Sequence, residues 1–250
     1  MSKDKEIWES YAVSDPYFAV STYDKYRDGG IDEEAKAEFF DSGRKHLEEI
    51  FDDLEEHYSS ALRPKRALDY GCGIGRVLMP LAERCEAVTG VDISQRMLDE
   101  TKRNVAGRGL NNVSLQDAEQ FLSADDESYD FVHSYIVLQH IEPEIGCGII
   151  EKILTRLEDG GCGMIHLTHS DPSGTFRRLR SRVYRDVPFV HRFLNGLRGK
   201  NTPVMPMYEY DRERVYRLMD ANGCSERFTK PTDHGFLGEM IFFRKEEEKE

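Results

Sequence analysis

The stretch "LDYGCGIGRVL", Leu68 to Leu78, sets three glycines two residues apart directly behind an apolar run. Gly71, Gly73 and Gly75 therefore fall where a strand turns into a helix. Residues without a Cβ let the backbone and the helix N-terminus approach a ligand closely. A dinucleotide fingerprint requires Gly-x-Gly-x-x-Gly, but its last position here is Arg76. No Gly-Lys-Ser/Thr follows, so a phosphate-cradling loop is excluded as well. Taken alone, the spacing fits either a ligand other than a pyrophosphate or a glycine turn that binds nothing.

Around this turn, short apolar runs alternate with helical patterns. "RALDY" precedes the helix "RVLMPLAERC"; "AVTGVDIS" precedes the helix "QRMLDETKRNVAGRG". "VSLQDA" and "YDFVHSYIV" follow, then a helix beginning near Pro143 and the strand "CGMIHLTH". Such alternation predicts parallel βαβ units with helices on both sheet faces. Sheets of this kind bind ligands beyond the carboxyl ends of their strands.

Upstream, "IDEEAKAEFFDSGRKHLEEIFDDLEEHY" reads as a helix with Asp32 as its N-cap, preceded by a segment rich in aromatics (Trp8, Tyr11, Tyr17, Phe18, Tyr23). Pro64 closes that section, so we divide the chain into an N-terminal helical cap, 1–63, and an α/β domain, 64–250. A segment at 170–207 interrupts the rhythm and is expected to be a basic helical insert. After it, "YDRERVYRLMDANG" predicts a helix capped by Asp211 and closed by Gly223. The runs around "CSERFTK" and "EMIFFRK" predict an antiparallel hairpin at the sheet edge.

Composition narrows the classes. A formal net charge of -13 opposes binding along a nucleic acid backbone. No run approaches the roughly 20 apolar residues of a membrane span, and "MSKDKEIWES" lacks the apolar stretch of a signal peptide. The 5 cysteines are scattered without a Cys-x-x-Cys pair, which speaks against a zinc site or a disulfide framework and for the reducing cytoplasm.

Two carboxylates add to the glycines. Asp92 ends the strand "AVTGVD" about twenty residues on, where it can accept both hydroxyls of a ribose. Asp117 ends the next strand and can accept from an exocyclic adenine amine. Either is also an ordinary helix N-cap when read singly. Jointly they describe a ligand bearing adenosine and no pyrophosphate.

"LDYGCGIGRVLMPLA", "GVDIS", "QDAEQF" and "YDFVHSYIVLQHI", in this order and spacing, resemble the motifs of class I S-adenosylmethionine-dependent methyltransferases, close to the small-molecule branch with a generic methyltransferase domain. The likeness covers about Arg66 to His169. It implies a Rossmann-like, seven-stranded α/β sheet, mostly parallel, with an antiparallel last strand. It also implies that Asp69, Gly71, Cys72, Gly73 and Gly75 hold the methionine end of S-adenosylmethionine. Asp92 would hold the ribose, Ile93 and Met97 would pack by the adenine, and Asp117, Ala118 and Glu119 would lie at its edge. Ser134 would offer its carbonyl to the methionine amine, with Tyr135 and Gln139 beside it.

A hydroxyl acceptor must lose its proton as the methyl arrives, which calls for a base near the working pH. His140 in "VLQHIEP" is the candidate; relatives often carry two histidines here, and Gln139 takes the place of the first. A histidine that caps the next helix is the alternative. His166 and His169 are further candidates, His166 also reading as core. For the acceptor pocket we select Tyr17, Phe18 and His169, together with Arg177 and Arg178 of the insert. The insert reads as a packing element, as a lid over an anionic acceptor, or as a peripheral membrane contact. The sequence thus predicts methyl transfer from S-adenosylmethionine to a small molecule, most plainly a hydroxyl of a sugar or natural product, with no metal. A cofactor-binding scaffold without turnover and a protein-directed methyltransferase are the alternatives.

Overall fold

The computed structural model describes residues 3–14, 16–20, 26, 31–124, 127–170, 205–234 and 236–247. Arg177, Arg178, Tyr23 and nearly all of the expected basic insert lie outside the described residues.

Seven strands form one sheet in the order β3-β2-β1-β4-β5-β7-β6. They are β1 (Arg66–Tyr70), β2 (Ala87–Asp92), β3 (Val113–Asp117), β4 (Tyr129–Ser134), β5 (Leu157–Ser170), β6 (Glu226–Asp233) and β7 (Leu237–Arg244). The first five pair in parallel, whereas β7 runs antiparallel between β5 and β6. The fold class and the closing hairpin expected from sequence are both present. Strand order reverses between β1 and β4, the switch point beyond whose carboxyl ends open α/β sheets bind their ligands.

Strand alternation divides the core. From β1, Ala67 and neighbouring Phe131, Met164 and Phe242 meet Leu47, Ile50, Phe51 and Leu54 of the long helix α3 (Glu33–Tyr58). On the opposite face Leu68, Tyr70, Ile165 and Phe243 pack under α6 (Ala118–Ser123), α7 (Pro143–Thr155) and α8 (Arg212–Ala221). Burying Phe131 or Phe242 fully stabilises the fold by roughly 2–3 kcal/mol each. Helices α1 (Lys3–Ser14) and α2 (Pro16–Val20) form a separate cluster, in which Tyr11, Tyr17 and Phe18 pack on Phe39, Ile74 and Met97. α3 thus belongs to the core of the sheet, while α1 and α2 sit at its rim.

Several elements differ in extent from the sequence reading. α4 spans only Leu78–Ala82, because the glycine turn continues to Val77 and the chain turns again after Glu83. β5 starts at Leu157 rather than near Cys162, and its pairing with β4 shifts register between Tyr129 and Phe131. α6, too short to show a period, follows β3 directly because Asp117 and Gln120 form a reciprocal capping box. α5 (Gln95–Gly107) follows the expected pattern, with Ser94 as N-cap and Met97, Leu98, Thr101 and Val105 buried.

Candidate active site

The glycine turn is held from three sides. The amides of Gly71 and Cys72 both donate to the Val91 carbonyl, at 2.7 and 2.9 Å, tying the turn to β2. From α5, the Thr101 hydroxyl donates to the Gly73 carbonyl (2.6 Å) and the Asn104 amide to the Ile74 carbonyl (2.9 Å). Gly71 has φ +80, and a Cβ there would lie 2.2 Å from Val137 Cγ2. Gly73 has φ +55, and a Cβ there would lie 2.7 Å from Val20 Cγ2 of α2. Both positions thus combine a left-handed backbone with close approach, which only glycine tolerates.

Asp92 closes over this turn. Its Oδ2 accepts from the Gly73 amide and its Oδ1 from the Ser94 amide, each at 2.9 Å. Each carboxylate oxygen accepts more than one hydrogen bond, so both retain capacity for a further donor. Burial pushes the Asp92 carboxyl up to about 6, and these two amides pull against that shift. Beside the turn, Ser134 Oγ and Gln139 Oε1 are buried with no hydrogen-bond partner among the described residues. Unsatisfied buried polar atoms require an explanation, and a polar ligand in the crevice supplies one. This set fits an adenosyl ligand: a carboxylate for paired hydroxyls, two unused polar atoms and a cradle free of Cβ atoms. Met97 and Ile93 lie beside Asp92, Met97 buried and Ile93 half-buried.

Asp117 stands at the end of β3, and its Oδ1 accepts from the Gln120 amide at 2.8 Å, the N-cap arrangement. Ala118 and Glu119 form the first turn of α6, Glu119 being exposed. Asp69 is buried, and its Oδ1 meets His133 Nδ1 at 2.7 Å. Cys72 is buried, and burial raises its thiol well above the usual range. All five cysteines are free and buried.

His140 lies in a 3-10 turn, Leu138–His140, beyond β4. Its Nδ1–H donates to the Pro206 carbonyl (2.7 Å), so its lone pair is at Nε2, which lies 3.2 Å from the Gln139 amide nitrogen. The imidazole is therefore neutral with both nitrogens engaged, and burial lowers its pKa to about 4. Trp8 of α1 packs edge-on against it at 5.2 Å. Sequence reasoning missed the strap that fixes this turn. The Tyr208 amide donates to the Gln139 carbonyl (2.8 Å), and the Tyr210 hydroxyl lies 3.0 Å from the Leu138 and Ile141 carbonyls. Thr101 and Asn104 were missed too; their signal is a polar pair on the buried stripe of α5.

A second group gathers where β4 and β5 end. Tyr135 packs at a tilt of 41° against His46 of α3, with ring centroids 4.3 Å apart, and its hydroxyl meets His234 Nε2 at 2.9 Å. His166 is fully buried and pairs through Nε2 with the Thr232 hydroxyl (2.9 Å). His169 ends half-buried near the tip of β5. Tyr17 and Phe18 lie buried in the cluster at the rim, Tyr17 edge-on to Phe39 at 5.1 Å.

Residues 67–161 match the family profile described as "Methyltransferase domain". Over this segment the chain is similar to methyltransferase domains. Its sequence is 36% identical over 102 residues to a ubiquinone biosynthesis O-methyltransferase of Coxiella burnetii, an alignment covering 40% of this chain and 42% of that relative. The chain thus spans less than half of the curated relative it matches. Magnesium protoporphyrin IX methyltransferase from Synechocystis, solved with bound SAH, superposes with a TM-score of 0.59 at 18% identity over 96% of this chain and 99% of that one. The N-methyltransferase NodS from Bradyrhizobium japonicum, also with SAH, gives 0.59 at 15% identity over 98% and 99%. At these identities the likeness to the methyltransferase domain is one of fold. Among the described residues no helix is long and apolar enough to cross a membrane, and no cluster of His, Cys, Asp and Glu could hold a metal.

Proposed function

We propose that this chain transfers a methyl group from S-adenosylmethionine to a hydroxyl of a small molecule such as a sugar or natural product, in a reducing cytoplasm. The carrying observation is Asp92, whose carboxylate is locked onto the glycine turn by the Gly73 and Ser94 amides and still has room to accept two hydroxyls. In this reading Asp69, Gly71, Cys72, Gly73 and Gly75 border the methionine end. Ser134 and Gln139 spend their free polar atoms there. Ile93 and Met97 flank the adenine, with Asp117, Ala118 and Glu119 at its edge. Bound there, the cofactor supplies an electrophilic methyl on a sulfonium.

The chain's own residues then orient the acceptor and exclude water. Val20 covers Gly73 and Trp8 covers His140, so α1 and α2 form the roof and must shift to admit ligands. His140 walls the acceptor side and takes a proton only after the Gln139 amide leaves Nε2. Tyr17, Phe18 and His169 line the approach, and Arg177 and Arg178 would draw an anionic acceptor.

Calorimetry with S-adenosylmethionine, followed by transfer of labelled methyl into a panel of hydroxyl-bearing metabolites, tests the reading. Saturable binding and label in a small molecule are expected. Absence of binding at millimolar cofactor would overturn it, and label appearing only in polypeptide would move the activity to proteins.

A further inference from the structure

Asp69, His133 and His46 come from β1, β4 and α3, yet they form one continuous chain of ring and carboxylate. Asp69 Oδ1 meets His133 Nδ1 at 2.7 Å, and His133 Nε2 meets His46 Nε2 at 3.3 Å. Asp69 and His133 are buried, at 3% exposure each. A carboxylate only accepts, so His133 donates from Nδ1 and, when neutral, offers a lone pair at Nε2. His46 then donates from its own Nε2, which leaves the lone pair of His46 at Nδ1. Among the described residues that nitrogen has no hydrogen-bond partner. The nucleoside residues occupy the ends of β1 to β3, so an acceptor has the remaining rim, beyond β4, β5 and the β6–β7 turn. His46 stands at that rim against Tyr135.

We propose that Asp69, His133 and His46 are a proton relay for the transfer, with His46 Nδ1 as the point of entry and His133 as the resting place of the proton. The inference rests on methyl transfer being the reaction. The bond formed joins the acceptor oxygen to the methyl carbon. The bond broken is methyl carbon to sulfur, whose electron pair remains on sulfur. The hydroxyl proton passes to His46 Nδ1, and the Nε2 proton of His46 passes to His133 Nε2. The resulting imidazolium stands directly against the carboxylate of Asp69, 2.7 Å from its Nδ1.

The surroundings explain why two imidazoles are needed. Burial, His133, Arg76, His166 and His234 all lower the basicity of His46, and Tyr135 presents only a neutral ring and hydroxyl. A proton held on His46 alone would face cationic Arg76 without a counter-charge; on His133 it faces Asp69. His140 lacks such a device, since its lone pair is covered by the Gln139 amide. His133 and Asp69 act through His46 and are positioning residues.

Two measurements decide the matter. In ligand-free protein labelled with nitrogen-15 at histidine, NMR is expected to find His133 protonated on Nδ1 and His46 on Nε2 at neutral pH. His46 protonated on Nδ1 overturns the relay without reference to activity. In turnover, His46→Gln is expected to lower kcat roughly 100-fold with cofactor affinity unchanged, as for loss of a general base. His133→Gln should give a similar loss of kcat with KM for the cofactor unchanged, a split that a merely structural role would not produce. Full activity in His46→Gln, or a loss confined to His140→Ala, overturns the relay. Wild-type protein that binds cofactor but methylates nothing defeats the transfer reading instead, while the tautomer assignment still judges the hydrogen-bond chain.

Discussion

The two halves of the sheet's rim are built differently. At the ends of β1 and β2 the groups that face the crevice are backbone amides and a carboxylate, and their partners come from the turn itself or from the next helix. Gly73 reaches Asp92 across 19 positions, and Ser94 reaches it across 2. Beyond β4 and β5 the groups are imidazoles and a phenol drawn from α3, β4, β5 and the β6–β7 turn. His46 reaches His133 across 87 positions and Tyr135 reaches His234 across 99. The first half is thus fixed by local chain geometry, which suits an invariant ligand. The second half is fixed by tertiary packing, which suits an acceptor that changes from one enzyme of this fold to another.

The sharpest break in this comparison comes from backbone substitution. Gly71→Val places a branched side chain at φ +80 with its Cβ 2.2 Å from Val137 Cγ2. Strain and overpacking together should destabilise the fold by roughly 2–5 kcal/mol in denaturant melts. His166→Gln in the other half removes one hydrogen bond and should cost about 1–2 kcal/mol. Equal losses would mean that the turn is no more constrained than the imidazole group.

The same contrast governs what the sequence reveals. The glycine turn, β1 to β3, Asp92 and the closing hairpin are legible because strand ends and caps obey short-range rules. Asp117 is legible as a cap and as a ligand at once, and its bond to the Gln120 amide realises the cap without using its second oxygen. His46 is silent in sequence, since one histidine among Phe39, Leu47 and Ile50 looks like a polar interruption of an apolar face. Its partners are set by how α3 lies across the sheet, which no local pattern encodes. Tyr135 illustrates the limit: its place after β4 suggests the cofactor, whereas its ring lies on His46. The place of His140 after β4 makes it a candidate in sequence, but the carbonyl that fixes its tautomer belongs to Pro206, beyond the segment at 171–204.

Asp92 sharpens the comparison through binding. Asp92→Ala should weaken S-adenosylmethionine by about 1.5–3 kcal/mol, since it deletes charged hydrogen bonds. Burial raises this carboxyl from 3.8 to about 6, and ribose hydroxyls donate to its ionised form. Affinity should therefore fall as pH drops below about 6, by roughly tenfold per unit. Asp92→Asn should remove the slope. In the ligand-free protein the sign is opposite. The folded state holds a proton that the unfolded chain has lost between 3.8 and about 6, so this group's contribution to stability falls as pH rises through that window. Calorimetry and melts across pH read the two trends separately, and a flat binding profile would remove Asp92 from the ribose.

The smallest effect is also the most discriminating. Thr101 donates its hydroxyl to the Gly73 carbonyl of the glycine turn at 2.6 Å. Thr101→Val keeps the shape of the side chain and removes that bond, at a cost of about 1 kcal/mol. Because the bond fixes the turn whose Gly73 amide holds Asp92, part of this cost should appear as a few-fold loss of cofactor affinity. Thr232→Val removes a hydroxyl of the same kind from His166, in the half assembled by tertiary packing. It should leave cofactor affinity unchanged and alter only stability and turnover. If both variants weaken cofactor equally, the two halves of the rim act as one cooperative unit, and the division between a local nucleoside site and a tertiary acceptor site is lost.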